Sequence, residues 1–249
     1  MDTKEKIKVF DKELSLIEDG NVKKLTKECI KLAEDWFFTE PASSSGKYHP
    51  NFAREAGGLI FHTKAVVYFL TEILRSELYK IDSYHKDLLI LSAIIHDIKK
   101  YGEKNNTGHT VKNHADLASK FVEDVNNTKK DGIIPKNDLE YVKKCVERHM
   151  GIFGDSIPET DDEKLLHIAD LIASRKEIDL KFSKEEKKKV LPSLDEYKVD
   201  FGMHIGKTLR EVPIDYLKWA VENIDKKPVF KSLAKQLLKE NNSSNEDNK

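Results

Sequence analysis

Apolar residues recur at intervals of three and four along most of this chain, the spacing that lines one face of an α-helix. Ile7, Phe10, Leu14 and Ile17 predict one helix over residues 3–17, stopped by Asp19-Gly20-Asn21. Leu25, Cys29, Leu32 and Trp36 predict a second over 22–38, with that stripe in the core. Residues 39–51 are rich in Pro, Ser and Gly and read as a loop. The paired glycines Gly57-Gly58 let backbone pass close to another element, and the helix after them carries His62 in its first turn or two. Further helical patterns cover 87–97, a helix opening at His114, 136–149 and 162–175. Past Ile178 the pattern weakens into the charged run Lys184–Lys189, and Pro192-Ser193 breaks any helix. Residues 199–219 read as a short hairpin or turn leading into a helix from Pro213, a last helix covers 229–238, and the polar residues 241–249 are expected to be disordered. The fold class is all-α, with a small C-terminal appendage.

Composition narrows the setting. At 249 residues the chain is long enough for one large domain, or one with a small appendage. A net charge of −1 argues against a uniformly basic nucleic-acid binder, although a local basic groove would survive that average. Cys29 and Cys145 lie in separate helical patterns with no CxxC spacing, so a reducing cytoplasm is the expected compartment. No stretch approaches a membrane span, and the N-terminus has no apolar signal core. The chain shows no internal repeat, phosphate-binding glycine loop or nucleophile elbow.

The candidate chemistry sits where the apolar run Leu88–Ile95 ends in His96-Asp97. Ionised groups there are costly to bury without a partner. Adjacent residues on a helix point about 100° apart, so both can face one site only if it lies off the helix end. Other elements must supply the rest, and His62, His114, His149 and Asp170 are the candidates, with His109 an alternative to His114. Asp170 is flanked by apolar residues on both sides, and a carboxylate embedded that way wants a cation. Mixed imidazole and carboxylate ligation suits Mn, Fe, Co, Ni or Zn better than Mg or Ca, and the absence of thiolates argues against a structural zinc site.

The order His62, His96-Asp97, His114, His149, Asp170 resembles the HD superfamily of metal-dependent phosphohydrolases over about residues 48–180. Gly57-Gly58-Leu59 before His62 looks like the first-histidine turn of members that act on nucleic acid or nucleotides. The resemblance implies an HD-type helical bundle over residues 48–182, with helices 1–47 packed on it, a linker at 183–198, a module at 199–239 and a tail at 240–249. It implies that His62, His96, Asp97, His114, His149 and Asp170 hold two divalent transition-metal ions, Asp97 bridging. Water activated there would attack a phosphodiester in a nucleotide or single-stranded nucleic acid, with a 3′–5′ exonuclease as one form. A one-metal nucleotidase or other phosphomonoesterase, and a non-enzymatic binding protein with a structural metal, are the alternatives.

Many family members read His-Asp-x-Gly-Lys; Lys99 stands at the glycine here, while Lys100 matches the lysine. Asp97 and Lys100 are thus the catalytic candidates, Lys100 as a partner for phosphoryl charge or, in the plainer reading, a lysine complementing a helix C-terminus. Arg54, Arg148 and Arg175 are candidate phosphate contacts, or ordinary surface arginines. The pattern Phe201-Gly202…Gly206-Lys207…Pro213…Tyr216-Leu217…Trp219 looks like a small module of uncharacterised role often attached to exonuclease domains, with Met203 where the usual pattern has a lysine.

Overall fold

In the computed structural model the described residues are all but 44–48, 77–78, 104–108, 225–226 and 247–249, so parts of the predicted loops at 39–51 and 102–113 and the end of the tail lie outside them. Twelve α-helices and no strand occur among the described residues. The N-terminal layer is α1 (Thr3–Val9), α2 (Asp11–Ser15), α3 (Gly20–Leu32) and α4 (Asp35–Thr39). The central helices are α5 (Gly58–Arg75), α6 (Ser83–Ile95), α7 (His114–Asn126), α8 (Lys136–Arg148) and α9 (Asp161–Ala173). Then follow α10 (Lys184–Val190), α11 (Ile214–Asn223) and α12 (Pro228–Glu246).

Helix α6 is the axis of the bundle. Every residue from Asp87 to Ile95 is buried, and α3, α5, α8 and α9 all pack against it. Burying each Leu or Ile of that run stabilises by about 1.5–3 kcal/mol, which makes this helix the least movable part of the chain. Asp82 caps its N-terminus by accepting from the Tyr84 and His85 N–H groups, so the helix begins four residues before the predicted 87. Asp87 accepts from the Glu18 and Asp19 N–H groups at 2.8 and 2.7 Å, tying the turn between α2 and α3 to the axis.

Two predicted helices are each broken in two. At Phe10 the backbone leaves helical geometry (φ −104°, ψ 19°), and the bend lets Phe10, stacked on Phe37, reach the core together with Leu14 and Ile17. At Ala33 the chain turns extended, so Leu32, expected in the core stripe, is exposed, while Lys6 bonds the freed Ala33 carbonyl at 2.6 Å. The charged run read as linker forms α10 behind a Ser183–Glu186 capping box, where Lys12–Glu186 and Lys189–Asp11 pairs tie it to α2 and α1 packs on it. Residues 194–238 gather around an apolar cluster of their own, with Leu209, Leu217 and Phe230 at its centre. There a single antiparallel bridge between Lys198 and Thr208 stands where a short hairpin or turn was expected. α12 runs on to Glu246, past the predicted limit at Leu238, since each residue added to a formed helix gains a hydrogen bond without a new nucleation cost.

Candidate metal centre

The candidate ligands come from five helices and converge at the C-terminal end of α6. His96 is the C-terminal cap of α6, His149 the C-terminal cap of α8, and His114 the first residue of α7. His62 and Asp170 come from within α5 and α9, which pack on each other. The turn that feeds α5 is tight: a Cβ on Gly58 would lie 2.3 Å from the Ala53 carbonyl oxygen, and Gly57 has φ +71° with Val190 against it.

Three of the histidines are oriented in the same way. The Nδ1–H of His96 donates to the Ala93 carbonyl at 2.7 Å, that of His114 to Val111 at 2.9 Å, and that of His149 to Val146 at 2.7 Å. A carbonyl only accepts, so each ring carries its proton on Nδ1 and presents the Nε2 lone pair inward. The inward atoms converge on Asp97. Its Oδ2 lies 3.5 Å from His62 Nε2 and 3.4 Å from His96 Nε2, and its Oδ1 lies 3.2 Å from His114 Nε2 and 3.7 Å from His149 Nε2. Asp170 Oδ1 is 3.1 Å from His62 Nε2 and 3.9 Å from His96 Nε2.

Such an arrangement of acceptors facing acceptors is unfavourable without a cation between them. Asp97 Oδ1 and His114 Nε2 are both buried and have no hydrogen-bond partner among the described residues, although they lie 3.2 Å apart. The donor set therefore fits divalent metal: His62–His96–Asp97, Asp97–His114–His149 and His96–His149–Asp170 each offer ligand atoms within 4.8 Å of one another.

Lys100 is buried and its Nζ lies 2.5 Å from Asp97 Oδ2. Burial alone would push the Asp97 carboxyl up; Lys100 and the surrounding imidazoles outweigh it and hold the group well below the usual carboxylate range. Asp170 is half-buried; its desolvation would raise the carboxyl, but the His62 hydrogen bond and the charge of the surrounding imidazoles hold it low. Burial pushes His96 down, whereas His62 is raised, because Asp170 and Asp97 at its Nε2 outweigh its desolvation.

The other candidates lie elsewhere or are engaged. His109 is exposed, and His114 occupies the cluster in its place. Arg148 pairs with Glu159 at 2.8 Å and Glu163 at 2.9 Å, Arg175 is exposed past the end of α9, and Arg54 donates its Nε–H to the His49 carbonyl at 2.5 Å. Lys99, where the family pattern has glycine, reaches Glu34 at 2.6 Å and lies over the Phe121 ring, tying the loop after α6 to the N-terminal layer and to α7.

Sequence reasoning missed two residues. His167 donates its Nδ1–H to the His149 carbonyl at 2.6 Å, and its ring fills the space that a Cβ on Gly151 (φ +56°) would take. His49 lies beside His62, ring centroids 5.4 Å apart, and burial pushes it down to about 3. The signals were present, a histidine three residues before Asp170 and one ahead of Pro50, but neither spacing nor composition says which way such rings point.

No helix among the described residues is long and apolar enough to cross a membrane. No curated protein and no solved structure matches the chain at a significant level. The family model for the HD domain matches residues 59–175, a span that begins at the turn before His62 and ends just past Asp170. Residues 59–175, just under half of the chain, are thus an HD domain, the domain of the HD superfamily of metal-dependent phosphohydrolases.

Proposed function

We propose that this chain is a two-metal phosphodiesterase acting on a nucleotide or single-stranded nucleic acid, with His62, His96, Asp97, His114, His149 and Asp170 as its metal ligands. One observation carries the reading: the two oxygens of Asp97 face different pairs of imidazoles, His62 and His96 on one side and His114 and His149 on the other. A single-ion site needs no such division, whereas a carboxylate shared between two ions does. His62, His96, Asp97 and Asp170 would hold one ion, and Asp97, His114 and His149 the other. Bound there, transition-metal ions supply Lewis acidity toward phosphoryl oxygen and a nucleophilic water near neutral pH.

The protein's own contribution is arrangement and charge. The three Nδ1–carbonyl bonds fix ring orientation before any ligand arrives, so little is lost in ordering them. Lys100, held against Asp97, is placed to move its ammonium onto a phosphoryl oxygen once cations take over the carboxylate. Asp170, with its side chain 16% exposed, is the least enclosed member of the set and marks the side from which substrate reaches the centre. Arg54 and Arg175 remain candidate contacts for substrate phosphates beyond the scissile one, and Arg148 could serve only by giving up its two glutamates. The substrate class follows from the resemblance of Gly57-Gly58-Leu59 and of the 199–239 module to nucleic-acid-directed relatives.

The test is metal analysis of purified protein with hydrolysis of bis(p-nitrophenyl) phosphate and p-nitrophenyl phosphate under Mn, Ni, Co or Mg, wild type beside Asp97→Ala. About two ions per chain, with diester cleavage abolished in the variant, is the expected result. One ion with monoester cleavage alone would replace this reading with a nucleotidase, and metal-free, inactive protein would end it.

A further inference from the structure

Among the histidines around the centre, His62 is set apart by its outer nitrogen. His96, His114 and His149 each place Nδ1 on a carbonyl, while the Nδ1 of His62 is buried without a hydrogen-bond partner among the described residues. Its Nε2 faces Asp170 and Asp97; with an ion held there Nε2 would be the ligating nitrogen, which leaves Nδ1 to carry the proton. A ligating imidazole without an outer acceptor is free to rotate about its ring axis and is a weaker base, which is why such rings usually have one.

His49 stands where that acceptor is missing. Both of its ring nitrogens are shut off from solvent and have no hydrogen-bond partner among the described residues. Its ring meets that of His62 edge to face at 5.4 Å, with an interplanar angle of 70°. Three orphaned nitrogens on two adjacent rings leave hydrogen-bonding capacity that one ordered water bridging them would satisfy. The backbone fixes His49 there: Arg54 Nε–H donates to its carbonyl, Pro50 follows it, and the short turn Asn51–Ala53 leads into the Gly57-Gly58 turn of α5. His49 belongs to none of the groups of ligand atoms that lie within 4.8 Å of one another, which separates it from the coordinating set.

We infer that His49 is the positioning residue of His62, accepting, through one ordered water, the proton that His62 carries on Nδ1. The inference rests on the metal-centre reading but needs only the ion that His62 serves. Loop 49–54 then takes the part that backbone carbonyls play for the other three rings. A neutral imidazole offers one acceptor and one donor, so a single water between the rings leaves the second His49 nitrogen a donor toward the same interior.

The test is the affinity of wild type, His49→Phe and His49→Gln for Mn and Co, measured by competition with a chromophoric chelator, together with thermal melting of the metal-free proteins. Losing an outer-shell partner costs about 10–100-fold in metal affinity. His49→Phe keeps a planar ring, slightly larger, and removes the orphaned nitrogens, so the metal-free variant should melt at or above the wild-type temperature while one ion binds about 10–100-fold more weakly. His49→Gln, which keeps an acceptor and a donor, should recover most of that loss. Unchanged affinities in His49→Phe would overturn the assignment. So would a parallel loss at both ions with a lowered melting temperature, which is the mark of a general packing role. Complete loss of one equivalent in both variants would make His49 a ligand instead. A wild type that binds one equivalent, weakened in His49→Phe, would leave this inference standing and sink the two-ion reading.

Discussion

Replacing Lys100 by Met should destabilise the metal-free protein and leave the metal-loaded protein almost untouched. The Lys100 ammonium lies 2.5 Å from Asp97 Oδ2, and both groups are buried. Removing one partner of a buried pair typically costs about 3–5 kcal/mol, because the remaining charge has neither water nor counter-ion. Here His62, 3.5 Å from the same oxygen and raised above its ordinary value, can take up a proton and compensate in part, which places the cost near the lower end, about 3 kcal/mol. For a chain of this length that is a fall of roughly 6–12 °C in melting temperature. Metal supplies the missing positive charge, so the deficit should close on loading, and by linkage the same 3 kcal/mol should reappear as about 100-fold tighter metal binding. The sign with pH follows from the direction of the shift. Asp97 is depressed in the folded chain, so the stability it owes to Lys100 is fully present above its unfolded pKa of about 3.9 and is lost as pH falls through the folded value. The Lys100→Met deficit should therefore be full at pH 7 and shrink below about pH 4. Circular-dichroism melts of both proteins, metal-free and Mn-loaded, at pH 7 and in acid, supply the data. A metal-free variant as stable as wild type, or a deficit that survives metal loading, would refute the reasoning.

Three further outcomes are expected. Gly58→Ala drives a Cβ to 2.3 Å from the Ala53 carbonyl oxygen, which is backbone and cannot yield, whereas Gly20 has open space around it. Stability, read from thermal melts, should fall for the first by about 2 kcal/mol or more and rise for Gly20→Ala by about 0.4–1 kcal/mol; equal shifts would mean the Ala53 contact is not tight. Asn126→Ala strips the acceptor from the Ile133 and Ile134 N–H groups, now 3.0 and 2.9 Å from Asn126 Oδ1. It should cost about 1–3 kcal/mol per orphaned group and speed hydrogen exchange at those two amides, with metal content unchanged. Metal content per chain should drop between about pH 7 and pH 5, because protons compete for imidazole lone pairs, and dialysis at the two pH values followed by metal analysis reads it directly.

The candidate ligands were legible because each is a polar group where burial makes no sense without a partner. His96-Asp97 closing an apolar run and Asp170 between apolar neighbours are anomalies in one dimension. The helices of the bundle were legible for the related reason that each has one periodic apolar stripe. The breaks at Phe10 and Ala33 were not, since the period runs on through a bend that only the packing of Phe10 on Phe37 requires. Arg148 shows a different limit. Sequence places it next to a candidate ligand, but Glu159 and Glu163, more than ten residues on, claim its guanidinium. His49 was hidden by a loop composition that says nothing about which way a ring points.

The Nδ1–carbonyl bonds have a consequence for how such a centre is inherited. In each case the acceptor is the backbone three residues upstream: Ala93 for His96, Val111 for His114, Val146 for His149. A carbonyl is present whatever side chain stands there. These three rings are therefore aimed by chain geometry alone, and substitution at 93, 111 or 146 leaves the aim intact so long as the local backbone holds. His62 has no such guarantee. Its orientation depends on side chains outside α5, which makes that corner of the centre the one that mutation can reach without touching a ligand, and the one where related chains have most room to differ.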